Sequence, residues 1–240
     1  MVAQNLIKEL KKYSSPERKK NNGWFFKTGP GQYGEGDKFI GVRVPDIRQV
    51  ARQFLDLDFT EITKLIKSSI HEIRLVAILI LVERNKQAVK NKDRLLQKKI
   101  LDFYLEYRRQ VNNWDLVDLS VSYILGQAIL DGLVAKQILY KYSKSNNLWE
   151  RRMSIVATGI FIRDNKLDDC FKLSKLLLKD KEDLIHKAVG WMLREAWKKD
   201  SLRVEKFLQD NYNNLSRTTL RYTIERMAET KRKKFLKGKL

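Results

Sequence analysis

Four stretches of the sequence resemble one another and decide its fold. They are SIHEIRLVAILIL (residues 69–81), NNWDLVDLSVSYIL (residues 112–125), NLWERRMSIVATGIF (residues 147–161) and LIHKAVGWMLRE (residues 184–195). Each stretch places an aromatic ring just inside the start of a predicted helix, and these rings belong to His71, Trp114, Trp149 and His186. Successive rings are 43, 35 and 37 residues apart. The sequence therefore predicts a repeated unit that is built from helices.

Two helices fit into each interval, which is typical of HEAT-type helical hairpins with their period of about 40–47 residues. Stacked hairpins form a curved solenoid, and equivalent helices line its concave face. The predicted fold class is all-α, a right-handed superhelix of HEAT-like helical hairpin repeats with a basic concave face. Residues 1–240 are expected to form one such repeat domain. The alternative is a non-repetitive helical bundle whose spacing is coincidental.

Helical spacing and helix-start signals extend over most of the remaining chain. Helices are predicted at residues 2–13, from residues 15, 44 and 59 onwards, and at 70–85, 93–109, 114–126, 132–143, 148–163, 167–179, 182–198, 201–211 and 216–228. Residues 1–45 hold the N-terminal helices and a glycine-rich loop. Residues 228–240 form a basic C-terminal tail, whose run 231–239 is expected to be flexible. A helical pattern at residues 231–237 is the alternative.

The one long irregular segment is residues 27–43, KTGPGQYGEGDKFIGVR, called the glycine-rich segment below. It is not a P-loop, because no Gly-Lys-Ser or Gly-Lys-Thr follows. No strand precedes it, which excludes a dinucleotide-binding fingerprint. We interpret it as a flexible linker that approaches a nucleic acid. A purely structural turn is the alternative.

The charge of the chain indicates a polyanionic partner. Lys and Arg total 49 against 29 Asp and Glu, which gives a net charge of +20 and a pI of about 9.9. Nucleic acid fits this excess best, because no basic amphipathic anchor for a membrane stands out. A solvated, lysine-rich surface is the alternative.

Cysteine and histidine usage narrows the chemistry. The only cysteine, Cys170, lies in an apolar stretch and is expected in the core, so a reducing compartment is predicted. Two histidines and one cysteine make no familiar metal cluster. The longest apolar run, residues 75–82, is far shorter than the roughly 20 residues of a membrane span, and no signal peptide is evident. We expect a soluble, cytoplasmic, nucleoid-associated protein.

Candidate site residues lie on successive equivalent helices. Trp114 and Asp118 are four residues apart and share one helix face. Arg152 lies in the next equivalent helix, and Trp191 lies in the one after that. If these helices line one groove, the four side chains converge. The alternatives are a surface carboxylate for Asp118 and core positions for the tryptophans.

Several stretches resemble the AlkD family of DNA alkylation repair glycosylases. The matching stretches are FKTGPGQYGEGDKFIGVRVPDIR (residues 26–48), NNWDLVD (residues 112–118), LWERR (residues 148–152) and HKAVGWMLRE (residues 186–195). The resemblance implies a superhelix of HEAT-like repeats that grips duplex DNA. It also implies removal of 3-methyladenine and 7-methylguanine while the lesion base stays stacked.

The resemblance also implies roles for individual residues. Asp118 is expected to be the catalytic carboxylate. Trp114 and Trp191 are expected to pack along the lesion nucleotide, and Arg152 to hold the DNA backbone near it. Some relatives carry a tyrosine on a helix where this chain has its looser glycine-rich segment, and Tyr33 is the candidate for that role.

The chemistry of the substrate agrees with a single carboxylate. A purine alkylated at N3 or N7 is positively charged and leaves without protonation, so the site needs no acid–base pair. Asp118 would stabilise an oxocarbenium-like sugar and place the water. Tryptophan faces would add cation–π attraction, and Arg152 would clamp a phosphate.

Further basic residues are expected to contact the DNA backbone, although a solvated surface charge is the alternative for each. These candidates are Lys27, Arg43, Arg48, Lys187, Arg194 and Arg217. The predicted partner is double-stranded DNA, with no membrane, no cofactor and no metal, and the protein is expected to be a monomer. Two other functions stay open, a catalytically silent DNA-binding relative and a HEAT-type scaffold for proteins.

Overall fold

The computed structural model describes residues 1–238, and its regular structure is helical. Within that range the one β-type pairing is an isolated parallel bridge between Lys38 and Ile70. The all-α prediction is confirmed. The chain divides into two compact units, residues 1–120 (unit 1) and residues 121–240 (unit 2). The single repeat domain proposed for the whole chain stays a prediction.

Unit 1 is built around one long buried helix. Every residue from His71 to Val82 is buried. Residues 75–82 are apolar on all sides and other helices cover them, whereas His71, Glu72 and Arg74 before them are buried polar residues. The helices of unit 1 are α1 (Ala3–Lys11), α2 (Pro16–Phe25), α3 (Val44–Gln53), α4 (Phe59–Ile66), α5 (His71–Lys90), α6 (Arg94–Glu106) and α7 (Trp114–Asp118). Helices α3, α4, α6 and α7 pack against the long helix, α5, and α1 packs against α3 and α4.

Unit 2 is built around one helix that several others contact. Its helices are α8 (Gln127–Leu130), α9 (Gln137–Tyr142), α10 (Leu148–Val156), α11 (Gly159–Arg163), α12 (Asp168–Leu177), α13 (Asp183–Trp197), α14 (Ser201–Asp210), α15 (Arg217–Thr223) and α16 (Glu229–Leu236), and a π-helical turn, Ser122–Gly126, precedes the first of them. Helices α10, α12, α14 and α15 pack on the central helix, α13. Gly190 lets α15 approach α13 closely, since a Cβ at that position would lie 2.5 Å from Cβ of Tyr222.

Side-chain caps fix many of the helix starts that the sequence predicts. Ser15 accepts from the Arg18 N–H, as expected for a Ser-Pro helix start, and Asp58 accepts from the N–H groups of Thr60 and Glu61. Further N-caps with such a bond are Asp93, Asn113, Asn147, Asp200 and Ser216. Short polar side chains therefore set the starts of helices in both units.

Two predicted helices are interrupted. The helix proposed for residues 114–126 ends at Asp118, and the Ser120 hydroxyl just beyond it donates to the carbonyl of Leu116 (2.5 Å). The helix proposed for residues 148–163 is split at Thr158, whose hydroxyl donates to the carbonyl of Ile155 (2.6 Å). At both points a hydroxyl side chain bonds to the backbone beside the break.

The flexible C-terminal tail expected at residues 231–239 is wrong for most of that run, whereas the helical pattern at residues 231–237 is confirmed. Helix α16 begins at Glu229 and continues to Leu236. The Phe235 side chain is buried, and the Tyr212 hydroxyl donates to the Phe235 carbonyl (2.7 Å). One buried aromatic residue thus attaches a basic helix to unit 2. Residues 239 and 240 lie outside the described residues.

Candidate active site

Unit 1 contains a cavity of about 390 Å³ beside α7. Aromatic and aliphatic side chains form most of its wall, and several charged groups reach it. The lining residues are Arg18, Asn22, Phe25, Phe26, Phe39, Val42, Arg43, Val44, Ile47, His71, Glu72, Leu75, Trp114, Asp115, Asp118 and Leu119. A few polar groups in an apolar concave wall are typical of a ligand site.

The two candidate residues of α7 both reach this cavity. The Asn113 side chain accepts from the Trp114 N–H (2.8 Å) and so starts the helix at Trp114. Asp118 follows one helical turn later, and both side chains line the cavity and are half-buried. Because they are four residues apart, the two side chains share one face of α7, as the sequence predicts.

An aromatic cluster surrounds the Trp114 ring. Phe26 stacks on Trp114 with ring centroids 5.4 Å apart, and Phe25 meets the same ring edge-on at 5.8 Å. Phe39 in turn stacks on Phe26, with ring centroids 5.0 Å apart. The negative faces and positive edges of such rings favour these arrangements. The cluster therefore gives the cavity wall electron-rich faces that attract a cation.

Three of the carboxylates at the cavity differ in how far a ligand can reach them. Glu72 is 2% exposed and Asp115 is 5% exposed, and both accept hydrogen bonds from within unit 1. Asp118 has the more open position. Of the three, Asp118 is therefore the carboxylate best placed to act on a molecule in the cavity.

A buried charge network lies under the cavity. The two ring nitrogens of His71 lie 3.1 Å from an Asp37 oxygen and 2.8 Å from an Asp115 oxygen. Asp37 also accepts from Arg74 (2.6 Å) and from the Asn113 amide (3.0 Å). Two carboxylates are thus balanced by an imidazole and a guanidinium inside the unit.

These contacts shift the titration of the network. Burial lowers the pKa of His71, but Asp115 and then Asp37 outweigh that effect and raise the pKa to about 9. Burial alone would raise the pKa of Asp37, but its hydrogen bond to His71, the charge of Arg74 and the Asn113 amide hold the pKa below its usual value. His71 is therefore an imidazolium near neutral pH.

Glu72 fixes the end of the glycine-rich segment. Its carboxylate accepts from the backbone N–H of Gly41 (2.8 Å), Ile40 (3.1 Å) and Val42 (3.4 Å). Gly41 has φ of +78°, and a Cβ there would lie 2.2 Å from the Ser15 carbonyl oxygen. The segment is therefore irregular, as predicted, but it is tied to α5 near the cavity.

Four candidate DNA contacts of unit 1 have defined positions. The Tyr33 hydroxyl donates to the Phe25 carbonyl (3.4 Å) at the end of α2. Arg43 lines the cavity and pairs with Asp46 (2.9 Å), and its side chain stays 63% exposed. Lys27 is exposed and Arg48 is half-buried. Their contacts with DNA stay predictions.

The two remaining catalytic candidates lie in unit 2. Arg152 is 5% exposed, and its guanidinium donates to the Leu184 carbonyl near the start of α13. Trp191 is half-buried on α13. The structure thus links Arg152 to the helix that carries Trp191. Their convergence with Asp118 stays a prediction.

The other basic candidates of unit 2 have acidic or backbone partners. Lys187 pairs with Asp183 (2.9 Å), and the Arg194 guanidinium pairs with Glu225. Arg217 is exposed and donates to the carbonyl of Leu236 (3.0 Å). A phosphate would have to compete with these partners, so their roles stay predictions.

Sequence reasoning missed several residues of the site. In the sequence His71 appears only as a ring at a helix start, because the two acids that face it are 78 positions apart in the chain. Phe25 and Phe26 end α2 and gave no periodic signal. The available signal was a histidine beside Glu72 at the start of a helix, shortly before its apolar run of residues 75–82.

Two other features are absent from the described part of the chain. Residues 1–238 contain no group of three or more His, Cys, Asp or Glu side chains that could hold a metal ion. Over the same residues, none of the helices combines the length and the apolar character of a membrane span.

The fold and the cavity define a class, an all-helical protein with an aromatic, carboxylate-bearing cavity and a large positive charge. The family model described as DNA alkylation repair enzyme matches residues 6–227. This chain therefore belongs to the DNA alkylation repair enzyme family, and DNA is the substrate which that membership implies.

A solved structure supports the fold. The chain is similar to a predicted DNA alkylation repair enzyme from Enterococcus faecalis, with 18% identity and a TM-score of 0.68. The likeness covers 90% of this chain and 97% of that chain. At this identity it shows the fold alone. No curated protein matches the chain.

Proposed function

We propose that the protein is a DNA N-glycosylase that hydrolyses the N-glycosidic bond of cationic alkylated purines, such as 3-methyladenine and 7-methylguanine, in duplex DNA. The observation that carries the proposal is the cavity of unit 1, where the Asp118 carboxylate lies one helical turn from Trp114 within an aromatic wall. Membership of the repair family supports the same class of substrate.

The arrangement suits a leaving group that is already charged. A cationic purine departs without an acid, so the base can leave from the stack without extrusion into a proton-donating pocket. The deoxyribose then develops positive charge, which one carboxylate stabilises while it orients the attacking water. Asp118 has this role in the proposal.

Aromatic rings and arginines would assist the carboxylate. Cation–π attraction from a ring such as Trp114 is worth about 0.5–2 kcal/mol. Arg18 and Arg43 line the same cavity, where a phosphate would compete with the Gly41 carbonyl for Arg18 and with Asp46 for Arg43. In the proposal, Trp191 of unit 2 packs along the lesion nucleotide and Arg152 binds the DNA backbone near it.

The decisive experiment measures base release from N-methylated duplex DNA. Asp118→Asn should lower the single-turnover rate by about 100-fold or more, because the neutral amide no longer stabilises the cationic sugar. Asp102→Asn is the matched control, since Asp102 is an exposed acid of the same unit and its loss should leave the rate unchanged. Full activity of Asp118→Asn would refute the mechanism.

DNA binding offers a second test. Affinity for unmodified duplex should fall steeply as salt rises, because each phosphate contact releases condensed counterions. A salt-independent affinity would instead favour the protein scaffold. Binding with normal salt dependence but no base release would favour the catalytically silent relative.

A further inference from the structure

Both ring nitrogens of His71 face carboxylates. The ring is 1% exposed, and it lies 3.1 Å from Asp37 on one side and 2.8 Å from Asp115 on the other. A neutral imidazole has one N–H, so it can donate to only one of these acceptors. The protonated ring satisfies both. The geometry therefore couples the protonation of one side chain to two contacts.

These two contacts join different parts of unit 1. Asp37 belongs to the glycine-rich segment, and its other bonds come from Arg74 on α5 and from Asn113, the N-cap of α7. Asp115 belongs to α7, where it directly follows Trp114. His71 thus bridges the glycine-rich segment and the helix that carries the proposed catalytic carboxylate.

The ring of His71 also belongs to the aromatic cluster. Its centroid lies 4.8 Å from that of Phe39 and 4.9 Å from that of Phe26. Phe26 in turn stacks on Trp114 with an interplanar angle of 16°. A change at His71 therefore reaches the Trp114 ring along two routes, through the stacked rings and through Asp115.

We propose that His71 is a positioning residue of the repair reaction, and that by bridging Asp37 and Asp115 it fixes Trp114 and Asp118 in the cavity. The inference rests on the proposed function, in which Asp118 acts on the sugar. His71 itself would not touch the DNA. Its loss should slow the chemical step more than it weakens binding, because a small misplacement of a catalytic group lowers the rate by roughly 10- to 100-fold.

The charged surroundings of His71 make the proposal sensitive to pH. Asp37 faces it from the glycine-rich segment and Asp115 faces it from α7, while Arg74 and Glu72 share its helix. Arg18, Arg43 and Asp118 line the cavity above it. The pKa of His71 is raised to about 9, so its deprotonation falls in a range where the enzyme can be assayed.

The kinetic test compares the protein with His71→Arg and His71→Gln between about pH 6 and pH 10. The single-turnover rate of the wild type should fall as pH rises through about 9. His71→Arg keeps a cation that does not titrate in this range, so it should remain active and lose that fall. His71→Gln should lose roughly 10- to 100-fold in rate with its DNA affinity within about twofold.

The control is His186→Gln, which removes the other histidine of the chain. That variant should keep the wild-type rate and its alkaline fall. If His71→Gln keeps the wild-type rate and pH profile, the positioning role is wrong. It is also wrong if His186→Gln abolishes the alkaline fall.

A measurement without DNA separates this inference from the proposed function. The fluorescence of Trp114, taken as the difference between the protein and Trp114→Phe, should change with a midpoint near pH 9, and His71→Gln should abolish that change. If the fluorescence titrates in this way but no base is released, the glycosylase proposal fails and the bridge stands. If base is released but Trp114 fluorescence is flat up to pH 10, the bridge fails.

Discussion

Replacing Glu72 by glutamine tests whether one buried carboxylate organises the glycine-rich segment. The carboxylate accepts from Gly41 N–H at 2.8 Å and from Ile40 N–H at 3.1 Å, and it has longer contacts of 3.4 Å with Val42 N–H and with the Asn22 amide. Glu72 is 2% exposed, so water does not replace a lost partner. The substitution conserves shape and removes the charge.

The expected loss follows from these contacts. A hydrogen bond to a charged group contributes about 1.5–3 kcal/mol, compared with about 0.5–1.5 kcal/mol for a neutral one, so each of the two short bonds weakens by about 1 kcal/mol. The new NH₂ group would also point a donor at a backbone donor, which costs about 1–3 kcal/mol. Removal of a buried charge offsets part of this loss. We expect Glu72→Gln to reduce the free energy of unfolding by about 3 kcal/mol.

Urea denaturation followed by tryptophan fluorescence measures this change. With a slope of about 3 kcal/mol per molar urea, the midpoint should fall by about 1 M. Glu229→Gln is the matched control, because its carboxylate is exposed in an ion pair with Lys233 and should change the free energy of unfolding by less than about 0.5 kcal/mol. A loss for Glu72→Gln no larger than that of the control would contradict the role of Glu72 in organising the glycine-rich segment.

Three further predictions concern stability and reactivity. Arg151→Ala should lower the free energy of unfolding by about 3–5 kcal/mol, because it leaves the buried carboxylate of Asp180 without its cation. In the native protein Nε of Arg151 lies 2.6 Å from Oδ2 of Asp180. The control is Lys206→Ala, which breaks an exposed ion pair with Asp210 and should lower the free energy of unfolding by less than about 1 kcal/mol in the same urea assay. Equal losses for the two variants would contradict the prediction. Burial raises the pKa of the Cys170 thiol to about 12, so iodoacetamide should label it only after unfolding, and rapid labelling of the native protein detected by mass spectrometry would contradict this. The folded-state pKa of His71 lies above its unfolded value of about 6.5, so its stabilisation is complete below about pH 6.5 and is lost as pH rises through about 9. This change is worth about 3 kcal/mol, and unfolding midpoints that are equal at pH 7 and pH 10 would rule it out.

Helix content was predictable because it depends on local patterns. The Ser15-Pro16 start, the apolar run of α5 and the spacing of Trp114 and Asp118 all depend on residues within a few positions of one another. Helix ends were less predictable. The Ser120 hydroxyl could bond to the backbone or point elsewhere, and its bond to the Leu116 carbonyl depends on the packing that surrounds it.

Patterns along the chain were enough to predict an all-helical protein with a strong positive charge, to indicate the DNA alkylation repair family and to place Trp114 and Asp118 on one helix face. The buried bridge of Asp37, His71 and Asp115 became apparent from the packing of the folded chain. Periodicity reports which side of a helix a residue occupies, whereas contacts between residues 34 and 44 positions apart depend on how separate segments pack.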